Sequence, residues 1–168
     1  RDSLGGNKLY RNEGDFFTDV TTASKIHSSN IGFGLGVTIT DIDKDGWQDI
    51  YVSNDFFERD YLYINQHDGS FEDAAEKYIN ELSLNAMRAD IADIDNDGYS
   101  DIYVTDMLPV EEGRIKSKAS FENWDKYQSN INNGYYPQFM RNTLQLNQVI
   151  KVNGEIYFSE VGRIANVH

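Results

Sequence analysis

Short runs of apolar and β-branched residues, separated by turns rich in glycine and aspartate, dominate the chain. In the middle of the sequence these runs lie at about 36–41, 49–54, 60–65 and 70–74. The pair Asp68-Gly69 separates the last two runs, and an Asp-Gly pair between strand-like segments is a strong hairpin signal. The pattern therefore predicts four short strands joined by turns.

The four-strand pattern repeats along the sequence. GVTITDIDKDGWQDIYVSND (36–55) aligns with RADIADIDNDGYSDIYVTDM (88–107), a shift of 52 residues. A second motif, KLYRN at 8–12, recurs as YLYIN at 61–65 and TLQLN at 143–147. Repeats of about 50 residues with four strands each are typical of β-propeller blades. The sequence therefore predicts an all-β fold, a β-propeller fragment.

The repeats divide the chain into about two and a half four-stranded blades. We assign 1–31 to the last hairpin of a preceding blade, 32–80 to a complete blade and 81–168 to a further blade. This further blade is longer because an insertion, 109–141, interrupts it. Propellers need about four to eight blades, so we expect a longer chain in which another aspartate-rich loop follows.

The insertion has a different periodicity from the blades. Phe121, Trp124, Tyr127 and Ile131 recur at helical spacing, which predicts a short helix near 119–130 and a partly helical insertion. An aromatic stripe of this kind either packs on the core or offers a platform for a protein or a glycan. The candidate binding residues are Phe121, Trp124, Tyr127, Tyr135 and Tyr136.

Composition and charge fit a globular domain with one concentrated acidic feature. Of the 168 residues, 39% are hydrophobic and 13% aromatic, as in folded domains. The formal net charge is −13, and eight of the 28 acidic residues lie in two short loops. The absence of a basic stripe argues against nucleic acid as a partner. No apolar run could span a membrane in this segment, and the lack of cysteine excludes disulfides and thiolate metal sites.

The two acidic loops are DIDKDGWQD (41–49) and DIDNDGYSD (93–101). In each loop aspartate occupies positions one, three, five and nine, and glycine occupies position six. Carboxylates about 5 Å apart repel by roughly 3 kcal/mol per pair at an effective dielectric constant near 20. Either the side chains point into water, as in an ordinary polar turn, or they surround a cation. Oxygen-only ligands favour calcium, which accepts six to eight oxygens in irregular geometry.

Each loop is predicted to bind one calcium ion, which makes two sites. Glycine at position six permits the tight reversal, and the seventh residue would contribute its backbone carbonyl. An EF-hand loop requires an acid at position twelve, where this chain has Val52 and Val104. The predicted ligands are Asp41, Asp43, Asp45, Asp49 and the Trp47 carbonyl in the first loop, and Asp93, Asp95, Asp97, Asp101 and the Tyr99 carbonyl in the second.

These loops and their flanks resemble a known repeat family. FGLGVTITDIDKDG (33–46) matches the pattern of FG-GAP, or VCBS, repeats, the calcium-binding propeller repeats of integrin α-subunit heads. DIYVTDMLP (101–109) and YYPQFMRNTLQLN (135–147) are similar to VCBS-repeat proteins of Bacteroidetes with ASPIC/UnbV domains and to the cartilage acidic protein family. The resemblance implies an extracytoplasmic protein, secreted, periplasmic or at the outer-membrane surface, in a larger cell-envelope assembly. It implies no established reaction.

Two functional classes remain. The first is a calcium-stabilised scaffold for adhesion or complex assembly, with a protein or glycan partner. The second is a carbohydrate-active enzyme, which would need two carboxyl groups about 5–10 Å apart. The candidate acids outside the loops are Asp55, Glu58, Asp90 and Asp106. No nucleophile triad, phosphate loop or zinc motif strengthens the enzyme interpretation, so no catalytic residue is assigned. His27 and His67 lie beside turn residues and are interpreted as surface side chains.

Overall fold

The computed structural model describes residues 5–56, 58–108, 124–148 and 156–167. It begins with a hairpin formed by β1 (Tyr10–Asn12) and β2 (Phe17–Asp19). The place of this hairpin in a preceding blade stays a prediction. No helix in the described ranges is long and apolar enough to cross a bilayer.

The first four-stranded sheet is the uninterrupted blade. Its strands are β3 (Phe33–Thr40), β4 (Asp49–Asp55), β5 (Tyr61–Asn65) and β6 (Phe71–Asp73). They lie side by side in chain order and every pair is antiparallel. The strands lie where the sequence pattern predicts them, except that β3 begins at Phe33 rather than near residue 36.

The second sheet repeats this strand order. A short helix, α1 (Ala75–Tyr78), leads to β7 (Leu82–Ser83), and the second sheet follows with β8 (Ala86–Ala92), β9 (Asp101–Asp106), β11 (Thr143–Asn147) and β12 (Phe158–Glu160). Between β9 and β11 lie α2 (Trp124–Asn132) and β10 (Gln138–Phe139), which pairs with β7 in parallel. Two matching up-and-down sheets confirm the prediction of an all-β, propeller-like fold.

The two sheets pack against each other around one apolar core. The core includes Tyr51, Leu62, Ile64, Leu82, Ile102, Val104 and Phe158. Strands β3 and β8 approach closely, and Thr38 Oγ1 donates a 2.9 Å hydrogen bond to the Ala89 carbonyl. Gly36 permits this approach, because a Cβ there would lie 2.6 Å from Ser53 Oγ and 3.5 Å from Arg88 Cα. Gly36 and Arg88 hold the same repeat position, beside a β-bulge in each blade.

An arginine two residues before the third strand of each blade pairs with an acid of the fourth strand. In the first blade Arg59 Nη2 lies 2.7 Å from Asp73 Oδ2. In the second blade Arg141 Nη2 lies 2.9 Å from Glu160 Oε2. The side chains of both ion pairs are 8–20% exposed, so each pair is partly shielded from solvent. Each pair holds the outer strand of its sheet against the segment before the third strand.

The residue after each arginine is a buried polar side chain. Asp60 is fully buried, and its carboxylate accepts hydrogen bonds from the Asn54 N–H at 2.8 Å and from the Tyr51 hydroxyl at 2.7 Å. Burial raises the pKa of Asp60 to about 7, although these hydrogen bonds act in the opposite direction. Asn142 holds this position in the second blade and accepts a 2.8 Å hydrogen bond from the Asp106 N–H. A neutral amide therefore makes the same backbone contact there.

We expect Asp60→Asn to flatten the pH dependence of stability. A carboxyl whose pKa is raised on folding stabilises the protein most while it is protonated, so its contribution falls as the pH rises from 3.8 to about 7. The fall is at most about 1.4 kcal/mol per pH unit. Denaturant titrations at about pH 5 and about pH 8 should show the variant gaining stability relative to wild type at the higher pH. The same pH dependence in both proteins would contradict a buried, protonatable Asp60.

Candidate metal centre

Both acidic loops fold into the same turn, the first between β3 and β4 and the second between β8 and β9. The fourth loop residue lies in the left-handed region, with φ of 62° at both Lys44 and Asn96. Gly46 and Gly98 follow at 91° and 92°. A Cβ at Gly46 would meet nothing within 4 Å, so glycine is required there for its backbone conformation rather than for space.

The first aspartate of each loop holds the turn through its carboxylate. Asp41 Oδ1 accepts a hydrogen bond from the Asp45 N–H at 3.1 Å, and Oδ2 accepts one from the Gly46 N–H at 2.9 Å. Asp93 accepts hydrogen bonds from the corresponding N–H groups of its own loop, at 3.1 and 3.0 Å. The repeat in sequence is therefore a repeat of geometry.

The last aspartate of each loop is buried and ties the loop to the third strand of its blade. Asp49 accepts hydrogen bonds from the Ile42 N–H at 2.8 Å and from the Asn65 N–H at 2.9 Å. Asp101 accepts the two corresponding hydrogen bonds, from the Ile94 N–H at 2.8 Å and from the Asn147 N–H at 2.9 Å. Burial raises the pKa of Asp49 to about 6.

Three carboxylates converge in each loop. In each of the groups Asp41, Asp43, Asp49 and Asp93, Asp95, Asp101, one oxygen per residue lies within 4.8 Å of the others. At that separation each charged pair repels by about 3 kcal/mol at an effective dielectric constant near 20. Burial raises the pKa of Asp43, and the charges of Asp45 and Asp41 act in the same direction.

The two groups have the donor chemistry of a hard-cation site. Their ligand atoms are all carboxylate oxygens. Among the described residues no lysine or arginine forms an ion pair with any of the six aspartates. Within the described ranges the negative charge therefore lacks a neutralising side chain, and a cation that prefers oxygen fits these residues.

The aspartate at position five lies outside each group. Asp45 Oδ1 accepts a 2.8 Å hydrogen bond from the Trp47 N–H, and its Oδ2 contacts Nε2 of His67. Asp97 Oδ1 accepts a 2.8 Å hydrogen bond from the Tyr99 N–H. The structure thus brings together three of the four predicted aspartates in each loop. Coordination by the backbone carbonyls of the seventh residues stays a prediction.

The side chains of the seventh residues contact different neighbours. The Trp47 ring stacks on the His67 ring, with centroids 5.1 Å apart and an interplanar angle of 20°. The Tyr99 ring lies under Lys44 of the first loop, whose Nζ is 4.8 Å from the ring centroid. The first loop therefore contacts both a turn of its own blade and the loop of the next blade.

His67 is a neighbour of the site that sequence reasoning missed. It lies in the turn between β5 and β6, with φ of 62°. Strand order is the signal that could have found it. Strand β4 begins at the acidic loop, and β5 runs antiparallel to β4 and ends at the same edge. The turn that follows β5 must therefore lie close to the loop.

The acids considered for glycoside hydrolysis have other contacts. Asp106 is buried, and its Oδ2 accepts hydrogen bonds from the Ser83 hydroxyl at 2.6 Å and from the Asn85 N–H at 3.1 Å. Asp55 is also buried and accepts a hydrogen bond from the next residue, Phe56, at 2.8 Å. The contacts of Asp106 hold the segment that carries β7 against β9, which is a structural role.

The aromatic residues of the insertion form a stack. Trp124 stacks on Tyr127 with centroids 5.6 Å apart, and Tyr127 stacks on Phe139 at 5.3 Å. Trp124 is 69% exposed at the end of this stack. Helix α2 ends two residues later than the predicted helix, and Phe121 lies outside the described residues.

The two tyrosines that follow α2 differ in their surroundings. Tyr136 packs against the core, and its hydroxyl donates a hydrogen bond to the Ile79 carbonyl. Tyr135 is 45% exposed. Of the candidate binding residues in the described ranges, Trp124 and Tyr135 therefore offer the largest solvent-facing rings.

Comparison with known proteins relates this geometry to a repeat family. The FG-GAP-like repeat family matches residues 41–104, which confirms the predicted FG-GAP resemblance. The chain is similar to integrin alpha-3 of Mus musculus, with 35% identity over 83 residues that cover 43% of this chain and 8% of that protein.

Other integrin alpha subunits give similar matches. Integrin alpha-3 of Cricetulus griseus is 31% identical over 99 residues, which cover 51% of this chain and 9% of that protein. Integrin alpha-6 of Homo sapiens is 35% identical over 83 residues, which cover 43% of this chain and 7% of that protein. The similarity thus spans less than 10% of the length of each relative.

We expect Asp49→Ala to destabilise the protein even in the presence of a chelator. The change leaves the N–H groups of Ile42 and Asn65 without their acceptor, and an unsatisfied buried donor costs about 1–3 kcal/mol. Asp43→Ala is the matched control, because the backbone hydrogen bond that Asp43 accepts from the described residues comes from Asp45 of the same loop. Denaturant titrations in EDTA compare the two variants. Equal losses of unfolding free energy would contradict the structural role of Asp49.

Proposed function

We propose that this chain is part of a calcium-stabilised β-propeller that lies outside the cytoplasm. The propeller serves as a scaffold for adhesion or complex assembly. Residues 41–104 match the FG-GAP-like repeat family. The observation that carries the proposal is the pair of three-carboxylate groups on matching turns, without a basic partner among the described residues. The integrin alpha relatives support the adhesion role.

The proposed ligands are the ten predicted ones. They are Asp41, Asp43, Asp45, Asp49 and the Trp47 carbonyl, and Asp93, Asp95, Asp97, Asp101 and the Tyr99 carbonyl. The donors are all oxygens and the loop is irregular, and calcium accepts such a site. Zinc prefers nitrogen and sulfur ligands, and magnesium demands octahedral geometry. Bound calcium would neutralise the converging carboxylates.

The proposed sites are structural rather than catalytic. Asp49 and Asp101 each bond to their own loop and to the third strand of their blade. Holding these carboxylates in place therefore holds three strands of a blade in register. Each loop leads directly into a strand that contributes to the core between the sheets.

Calcium binding is testable by titration and by melting. Calorimetric titration of calcium into chelator-treated protein should show two sites. Saturation at a hundredfold excess over Kd should stabilise the protein by about 2.7 kcal/mol per site. Asp43→Ala and Asp95→Ala should each remove one site, and the double variant both. No calcium uptake by the wild-type protein, or unchanged uptake by the folded double variant, would contradict the proposal.

An apolar row on β3 supports the view that these blades belong to a larger propeller. Val37 and Ile39 follow the β-bulge of this strand, lie on one face of the sheet and are 65% and 59% exposed. An apolar sheet face of this kind is covered by the neighbouring blade in a closed propeller. Assembly with other cell-envelope proteins, and relationship to proteins with ASPIC/UnbV domains, remain proposals from the sequence resemblance.

We expect the exposed rings of the insertion to contact the protein or glycan partner. Trp124→Ala and Tyr135→Ala should each weaken binding by about tenfold or more, since exposed aromatic anchors dominate many interfaces. Tyr136→Phe is the matched control. It should lower stability by about 1 kcal/mol through the lost hydrogen bond to Ile79 without changing binding. Glycan arrays and cell-adhesion assays, run beside melting curves, measure both effects. Unchanged binding by both alanine variants would contradict the proposal.

A further inference from the structure

The motif that recurs at 8–12, 61–65 and 143–147 ends on asparagine in each copy, at Asn12, Asn65 and Asn147. Asn147 is the last residue of β11 and is 1% exposed. Its N–H donates the 2.9 Å hydrogen bond to Asp101 Oδ1 in the second loop. The backbone of Asn147 therefore holds the second loop, and its buried side chain needs partners of its own.

The side chain of Asn147 lies between the two acidic loops. Its Nδ2 is 3.3 Å from the Ser100 carbonyl oxygen in the second loop and 3.4 Å from the Ile42 carbonyl oxygen in the first. Carbonyl oxygens only accept hydrogen bonds, so the group between them is the amide –NH2, whose two hydrogens can serve one acceptor each. One side chain of the second blade therefore contacts the loops of both blades.

Ile42 connects the carboxylates of the first loop. It lies between Asp41 and Asp43, two members of the three-carboxylate group. Its N–H donates to Asp49, the third member, at 2.8 Å. Its side chain is fully buried in the core between the sheets. A donor at the Ile42 carbonyl therefore helps to hold the residue around which the three carboxylates converge.

Hydrogen bonds form a continuous path between the two sites. The path runs from Asp49 through the N–H and the carbonyl of Ile42 to the amide of Asn147. It continues from the Asn147 N–H to Asp101. The buried closing aspartates of the two loops are thus linked through one asparagine.

The equivalent asparagine of the first blade differs in its contacts. Asn65 Nδ2 donates a 3.1 Å hydrogen bond to the carbonyl of Gln48, which holds the same loop position as Ser100. Within the part of the chain that the structure describes, this hydrogen bond stays in its own blade, and the additional contact with a neighbouring blade is made by Asn147.

We infer that the side chain of Asn147 is a positioning residue for both cation sites, because it holds the first loop through Ile42 and the second through Ser100. This inference rests on the proposed calcium function. The first loop depends on the second blade for its shape, and loss of the Asn147 amide weakens cation binding by both loops.

The expected size follows from the nature of the two contacts. Each joins neutral groups at 3.3–3.4 Å, and a hydrogen bond of this kind changes an equilibrium constant by about twofold to tenfold. A loop that is held less firmly before the ion arrives loses more conformational freedom on binding, which raises Kd.

Calcium titrations of single-site variants provide the test. Asp95→Ala removes a ligand of the second loop, so calorimetric titration then reports the first loop alone. Adding Asn147→Ala in this background should raise Kd by about twofold to tenfold. In an Asp43→Ala background, which leaves the second loop, the same substitution should raise Kd by a similar factor. Circular dichroism verifies that the variants are folded.

Gln145→Ala is the matched control. Gln145 lies two residues earlier on the same face of β11 and is equally buried, but its Nε2 donates to the Glu81 carbonyl, outside both loops. The control therefore loses a buried hydrogen bond of the same strand and should leave both Kd values unchanged.

The outcomes separate the inference from the proposed function. An unchanged Kd of the first loop after Asn147→Ala, or an equal rise after Gln145→Ala, would overturn the inference while leaving the calcium function intact. A wild-type protein that takes up no calcium would overturn the proposed function, and this inference with it.

A second measurement leaves Asn147 in place and so does not require that its variant folds. In NMR spectra of nitrogen-labelled protein, the side-chain amide signals of Asn147 should shift when calcium fills the first loop of Asp95→Ala. They should also shift when calcium fills the second loop of Asp43→Ala. The side-chain amide of Gln145 should shift in neither case. Asn147 signals that respond only to the second loop would overturn the inference.

Discussion

The hydrogen bonds of the two closing aspartates are the interaction on which the rest of the structure depends. Asp49 and Asp101 are buried, and each accepts one bond from its own loop and one from the third strand of its blade. One side chain thus fixes the loop, the strand register and the place where the other carboxylates converge. Burial of a carboxylate is unfavourable, which is why the pKa of Asp49 rises to about 6. The hydrogen bonds of the buried carboxylate hold the loop and the third strand together despite this electrostatic cost.

Convergence of the other aspartates adds to that cost. Three charged pairs within 4.8 Å would together repel by about 10 kcal/mol at an effective dielectric constant near 20, which is comparable with the stability of a whole domain. The backbone N–H groups that point at Asp41 and Asp43 offset part of this repulsion. The remainder makes the stability of each blade depend on the charge state of its loop, and therefore on the ions in solution.

The features that could be predicted from the sequence are those recorded by patterns of neighbouring residues. The strands of both blades, the turns and the three converging aspartates of each loop follow from alternation, Asp-Gly pairs and the repeat itself. Alternation, turn residues and the repeat do not indicate the contacts of His67 with Asp45, of Asp60 with Tyr51 and of Lys44 with Tyr99, although strand order places the turn of His67 near the loop. Each joins residues that are distant in sequence and are brought together by strand pairing or blade packing, and no periodicity of the chain records such a pairing.

The differences between the blades lie at such non-local contacts. Asn142 preserves the backbone hydrogen bond that Asp60 makes, but removes a buried acid. Tyr63 accepts a hydrogen bond from the His27 N–H, whereas Gln145, at the same repeat position, donates to the Glu81 carbonyl. In each case the strand ladder is preserved and only the partner from another element changes. The local sequence pattern therefore preserves the strands of each blade, while a few side chains change the buried charge and the contacts between elements.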